Sequence, residues 1–232
     1  MIEAVVFDWG GTLTAWHDID FHAESLALAQ AVVNAEHDLE VSRERLHTAG
    51  NAIWGRSRDA QRSATIGDLF TEAGLEHDPD LLRAYYEFWE PHTLTDPEVG
   101  PLFEELRGRG IKVGVLSNTI WPREWHEGFF RRDGVLDLID GDVYTSEIPW
   151  TKPSPHAFRA ALDAVGAVDP ARCVYVGDRL YDDVYGAQSA GLRAIHVPHS
   201  RIPMEQVGHT EGRPDAVVER LGEVAAVVQG WS

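Results

Sequence analysis

Ala4-Val5-Val6-Phe7-Asp8-Trp9-Gly10-Gly11-Thr12-Leu13 sets the architecture. Four apolar residues run directly into a carboxylate, a glycine pair and a hydroxyl. A short continuous apolar run ending in a polar loop is the pattern of a strand buried on both faces of a parallel sheet. The paired glycines allow a tight turn beside the carboxylate. The same device recurs downstream. Ile111 to Leu116 reads as a strand and runs into Ser117-Asn118. The strand from Asp142 to Thr145 leads to Trp150-Thr151-Lys152-Pro153. Cys173 to Val176 ends in Gly177-Asp178-Arg179-Leu180-Tyr181-Asp182-Asp183.

Helical patterns separate these strands. They span Pro101 to Gly110, Arg123 to Arg131, a stretch opened by Ser154-Pro155 and reaching Val165, and Asp183 to Ala190. Ala194 to Val197 and Asp215 to Val218 read as further strands before a final helix. Strands alternating with helices imply an α/β fold, a Rossmann-like doubly wound parallel sheet covered on both faces. Residues 17 to about 92 read as wholly helical. Asp20 caps a run from Phe21 to Val33. Thr65-Ile66-Gly67-Asp68 has the form of a capping box, and Gly74 can close that helix. Asp78-Pro79 opens another helix, which Pro91 ends. An inserted α-helical cap is therefore expected over residues 16–95. The α/β core is expected to comprise residues 1–15 and 96–232, with Pro91 and Pro97 stiffening the second crossing.

Length and charge bound the function. A chain of 232 residues suits one core with an inserted module. Acidic residues outnumber basic ones by 38 to 20, for a formal net charge of −18. Such a chain is repelled by nucleic-acid phosphates and anionic membranes, so neither is an expected partner. An anionic substrate needs local positive charge to approach. Cys173 is the single cysteine, which excludes an internal disulfide and fits a cytoplasmic location. Its apolar surroundings mark it as a small buried residue. No basic segment with a long apolar stretch opens the chain, so no signal peptide is expected, and no run has membrane-spanning length. Oligomeric state has no signal in the sequence.

In sheets of this kind the site lies at the carboxyl ends of the strands, where the four loops converge. A carboxylate directly after a buried strand can serve as nucleophile or metal ligand. The acidic cluster at Asp178, Asp182 and Asp183 offers oxygen ligands suited to a hard cation such as magnesium.

The order and spacing of the four loops resemble the signature motifs of the haloacid dehalogenase superfamily, over nearly the whole chain and including a helical cap after the first motif. The resemblance implies a hydrolase acting on a small, anionic substrate. It implies Asp8 as covalent nucleophile, Ser117 as the group that hydrogen-bonds the transferring group, and Lys152 as the cation that orients the nucleophile. Asp178 and Asp183 correspond to the acidic metal pair, with Asp182 a nearby substitute. Asp8 and the Gly10 carbonyl complete the expected magnesium ligands. Ser117, Asn118, Lys152 and Arg56 are the candidate substrate contacts.

One departure bears on the reaction. Phosphatases that the chain resembles carry an aspartate two residues after the nucleophile, which protonates the leaving oxygen and then activates water. This chain has Gly10 there. General acid–base help is typically worth ~10²–10⁴-fold, most for poor leaving groups such as alkyl alcohols. His17, Asp18, Asp20 and His22 are candidates to replace it when the cap closes; hinge solvation and helix capping are their competing roles. Trp54, Arg56, Arg58 and Arg62 can bind an anion or form a solvated helix face. Trp121 and Trp125 fit either a pocket wall or the core. The acidic pair argues against metal-free dehalogenation. The absence of lysine between residues 13 and 111 closes an imine route of the phosphonoacetaldehyde hydrolase kind. A magnesium-dependent phosphatase is the leading expectation. The alternatives are cleavage of another bond, such as carbon–halogen, and a weakened member that binds a phosphorylated ligand or protein partner.

Overall fold

Six parallel strands form one sheet in the order β3-β2-β1-β4-β5-β6. The computed structural model describes residues 1–33, 38–199, 201–202 and 208–231. Along the chain, β1 (Ala4–Phe7) is followed by four helices, α1 (Phe21–Ala29), α2 (Leu39–Ala60), α3 (Ile66–Ala73) and α4 (Arg83–Trp89). Next come α5 (Val99–Gly108), β2 (Lys112–Ser117), α6 (Arg123–Arg132), β3 (Gly141–Tyr144), α7 (Pro155–Val165) and β4 (Cys173–Gly177). The chain closes with α8 (Gly186–Ser189), β5 (Arg193–His196), β6 (Ala216–Val217) and α9 (Val224–Gly230).

Strand β1 is central. It pairs with β2 on one side and β4 on the other, with Phe7 opposite both Val115 and Val176. Alternate side chains serve opposite faces of the sheet, as strand geometry dictates. Val5, Phe7, Val113, Val115, Val174 and Val176 pack with Phe103, Leu106, Phe129 and Val228 on one face. Ala4, Val6, Leu116, Cys173 and Tyr175 pack with Phe158, Ala161 and Ala187 on the other. Cys173 is buried there as a small apolar residue.

Several local signals read from sequence act as expected. The Asp20 carboxylate accepts from the amides of His22 and Ala23 at the start of α1. Thr65 and Asp68 form the reciprocal capping box of α3, and Gly74 closes it in the left-handed region. Others differ. Helix α1 stops at Ala29 rather than Val33, because the next residues bond the chain ahead of α4. Asp78 N donates to Ala31 O, and Val33 N donates to Glu76 O. The helix opened by Pro79 begins as a 3₁₀ turn, and its α-helical part stops at Trp89, just ahead of Pro91, which sits in a closing 3₁₀ turn over Glu90–His92. Ser154 makes no side-chain cap, so α7 rests on the fixed φ of Pro155. The expected helix from Asp183 is a π-helical turn over Leu180–Tyr185 followed by short α8.

The helical insert between β1 and β2 touches the sheet domain at more than its two crossings. At the crossings, Asp96 N donates to Leu13 O, and Thr14 bridges to Thr95. Further along, Ile66 N donates to Ile120 O at 2.9 Å, and Thr151 N donates to Gln61 O at 3.1 Å. Thr151 Oγ1 donates to Ser57 O, so the end of α2 grips the loop that carries Lys152.

Candidate active site

The loops after β1, β2, β3 and β4 lie at the carboxyl end of the parallel sheet, around the point between β1 and β4 where the strand order reverses. Asp8 immediately follows Phe7, and Asp178 immediately follows Gly177. Ser117 ends β2 and is buried. Asp183 reaches back from the π-helical turn, where its Oδ2 accepts from the Arg179 amide. A Cβ on Gly177 would stand 2.3 Å from the Asp183 carboxyl carbon, so only glycine there lets this carboxylate approach.

Lys152 joins these loops. Its ammonium donates to Asp8 Oδ1 at 2.6 Å, Asp183 Oδ1 at 2.7 Å and the Tyr175 hydroxyl at 2.8 Å. Tyr175 in turn donates to Leu116 O. The lysine side chain is only 3% exposed. Asn118 fixes the lysine backbone from both sides: Lys152 N donates to Asn118 Oδ1, and Asn118 Nδ2 donates to Lys152 O. This work ties the Asn118 side chain to the lysine loop.

Asp8, Asp178 and Asp183 each place one oxygen within 4.8 Å of the others. Three buried carboxylates share one ammonium, so the cluster lacks positive charge. The consequence is visible in acidity. Burial, reinforced by Asp183 and opposed by Lys152, raises Asp8 to about 6. Burial, then the charges of Asp8 and Asp183, raise Asp178 to about 8. Burial works against the Lys152 ammonium, but Asp183 and Asp8 outweigh it and hold its pKa above the ordinary range. Asp178 Oδ1 is buried with no hydrogen-bond partner. A hard oxygen-ligated dication fits this donor set and its charge deficit.

A family model for haloacid dehalogenase-like hydrolases matches residues 2–191. The chain belongs to that family. The hydrolase is 26% identical to a glyceraldehyde 3-phosphate phosphatase of Methanopyrus kandleri, over 99% of this chain and 98% of that protein. It is 31% identical to a phosphoserine phosphatase of Thermus thermophilus, covering 77% of this chain and 74% of that one. Among solved structures, a phosphatase of the same family from Thermococcus onnurineus superimposes with a TM-score of 0.67 at 26% identity, covering 99% of each chain.

Other candidates in the hydrolase have partners outside the carboxylate triad. Arg56 is half exposed and paired with Glu72 at 2.9 Å. Arg58 pairs with its neighbour Asp59. Asp182 is outside the carboxylate triad, 3.8 Å from Arg179. Asp20 is engaged in capping, His22 is exposed beside Glu40, and the ring of His17 faces His92. Trp121 is buried core, edge-on to Trp9 and Tyr85, and Trp125 packs beside it. Among the described residues no helix is long and apolar enough to cross a membrane.

Three residues of the site escaped the sequence reading. Trp16 Nε1 donates to Asp178 Oδ2 at 2.7 Å. Tyr175 sits mid-strand, where only its alternation marks the face it serves. His199, far along the chain, places Nε2 2.9 Å from Thr12 O and 3.1 Å from Gly11 O. Gly11 itself has φ +89, and a Cβ there would lie 2.1 Å from Trp16 Nε1 and 2.2 Å from Asp178 Oδ2. The turn thus needs glycine for conformation and for space.

The raised acidity of Asp178 has a measurable sign. A carboxyl that holds its proton to about 8 when folded, against 3.8 ordinarily, binds more protons folded than unfolded between those values. Stability of the metal-free protein therefore falls as pH rises through that window. In chelator, Asp178→Asn is expected to gain melting temperature relative to the native chain between about pH 5 and about pH 9. Parallel pH profiles for the two proteins would contradict the assignment.

Proposed function

We propose that this hydrolase removes the phosphoryl group of a small, anionic phosphorylated metabolite in the cytoplasm, with Asp8 as nucleophile. The observation that carries the reading is the buried Asp8–Lys152 contact inside a triad of carboxylates short of positive charge. The phosphatase names of its relatives support it. In this reading an Asp8 oxygen attacks phosphorus and forms an aspartyl-phosphate. Lys152 holds Asp8 in place and offsets charge on the transferring group. Ser117 at the end of β2 is the hydroxyl donor to a phosphoryl oxygen. Asp8, Asp178, Asp183 and the Gly10 carbonyl would hold magnesium, which when bound supplies positive charge to the phosphoryl oxygens.

Gly10 favours a second reading, a slow member that retains a phosphorylated ligand, because no side chain stands at that position to move protons. Release of inorganic phosphate from 4-nitrophenyl phosphate, with magnesium and with chelator, separates the two. Magnesium-dependent multiple turnover is expected. A single burst with phosphate retained on Asp8 would select the slow member. No phosphorylation at all, with halide released from a 2-haloacid, would replace both.

A further inference from the structure

The Trp16 indole folds back over the glycine pair beside Asp8. Its N–H is held by the buried Asp178 carboxylate at 2.7 Å, and the Arg179 guanidinium lies over its ring at 5.4 Å. The ring is thus fixed at one edge and covered on one face. A Cβ placed on Gly10 meets one heavy atom within 4 Å, Cη2 of Trp16, at 3.9 Å. A methyl group fits there, but a longer side chain directed into that space meets the indole. The space adjoins the reacting cluster, since Trp16 is bonded to Asp178, itself one of the three converging carboxylates.

Three polar groups around Asp8 have other work. Lys152 is committed to Asp8, Asp183 and Tyr175. Thr12 Oγ1 lies 3.4 Å from Asp8 Oδ2, and its carbonyl is taken by His199. The Tyr175 hydroxyl donates to Leu116 O, and burial holds its pKa well above the ordinary range. On the side of Gly10 the wall is therefore an apolar ring instead of a proton donor.

We infer that Trp16 is a specificity-determining residue, walling the space beside Gly10 so that a leaving group departs without a proton from the protein. The hydrolase then acts on phosphates whose leaving group is a stabilised anion, such as an acyl phosphate, aryl phosphate or phosphoanhydride, in preference to alkyl phosphates. This rests on the phosphoryl-transfer reading above. In the first step an Asp8 oxygen bonds to phosphorus as the bond to the leaving oxygen breaks. The electron pair stays on that oxygen, and solvent protonates it later. In the second step water bonds to phosphorus, Asp8 recovers its carboxylate, and both protons of the water leave with the phosphate. An alkoxide is a poor anion to expel this way, whereas a carboxylate, phenolate or phosphate is a good one.

The test compares kcat/KM for 4-nitrophenyl phosphate and glycerol 3-phosphate, with magnesium, in the native chain, Gly10→Asp, and Gly10→Asp combined with Trp16→Ala. The native chain and Gly10→Asp are expected to discriminate strongly against the alkyl ester. The double variant is expected to raise the alkyl-to-aryl ratio by roughly 10²-fold, within the range of general-acid help. Thermal melting and calorimetric magnesium titration read fold and carboxylate cluster independently of turnover. If the alanine variant fails to fold, Gly10→Asp with Trp16→Phe, which removes Cη2 and keeps a ring, decides the matter. An equal gain from Gly10→Asp alone, or an unchanged ratio in a folded, magnesium-binding double variant, overturns the role of Trp16. Comparable native turnover of both esters does the same. Absence of both turnover and any phosphorylation of Asp8 by the aryl phosphate in the native chain would instead overturn the phosphoryl-transfer reading and this inference with it.

Discussion

Lys152→Met is expected to cost about 3–5 kcal/mol of stability, the range seen when one partner of a buried ion pair is removed. The side chain is 3% exposed and its ammonium has three partners within 2.8 Å. Methionine fills similar volume, so the loss is electrostatic, not a cavity effect. Asp8 and Asp183 would face each other with no counter-charge, close to a third carboxylate. Urea unfolding in chelator measures the cost. Adding magnesium is expected to return part of it, because a ligand that binds only the folded state stabilises that state. Turnover is expected to be lost even where stability returns, since Asp8 is then unrestrained. Unchanged stability of Lys152→Met in chelator would contradict the ion-pair account.

Asp8→Asn is expected to lower turnover by on the order of 10⁴-fold or more, the scale reached when a covalent nucleophile is removed. Its effect on stability is expected to have the opposite sign to that of Lys152→Met, although the two residues are partners at 2.6 Å. Burial and Asp183 raise Asp8 to about 6, so near pH 8 its charge is carried at a cost in the folded, metal-free protein. A neutral amide relieves that crowding. The variant should melt at or above the native temperature in chelator, and its gain from magnesium should shrink. Retained turnover would move the nucleophile elsewhere. A marked loss of stability would mean that the pair with Lys152 outweighs the crowding of carboxylates.

The sheet was legible because its strands are buried on both faces and read as apolar runs: Ala4–Phe7, Lys112–Ser117 and Cys173–Gly177 stand out against helical periodicity. Asp8, Lys152, Asp178 and Asp183 were legible through the loops that follow such strands. Contacts made at long range were not. Trp16 lies 162 residues from Asp178 and His199 lies 187 from Thr12, and neither spacing leaves a local pattern. The π-helical turn has no signature in periodicity: its wide Val184 N to Arg179 O bond accompanies the Asp183 carboxylate's bond to the Arg179 amide, a side-chain contact that spacing does not report. The sequence left the arginines of α2 open between anion ligands and a solvated helix face, and Arg56 and Arg58 pair with Glu72 and Asp59 on the surface.

The grip of the α2 terminus on the lysine loop limits how freely the insert could be exchanged. Gln61 O, Ser57 O and the Ile66 amide bond backbone or side-chain groups of the loops that bear Lys152 and Ser117. A foreign helical module spliced between β1 and β2 would arrive without those partners, leaving Thr151 and Ile120 to find water instead. Transplanting selectivity from a relative into this scaffold therefore means carrying residues 57–66 across unchanged, and recombining only the helical surface upstream of them.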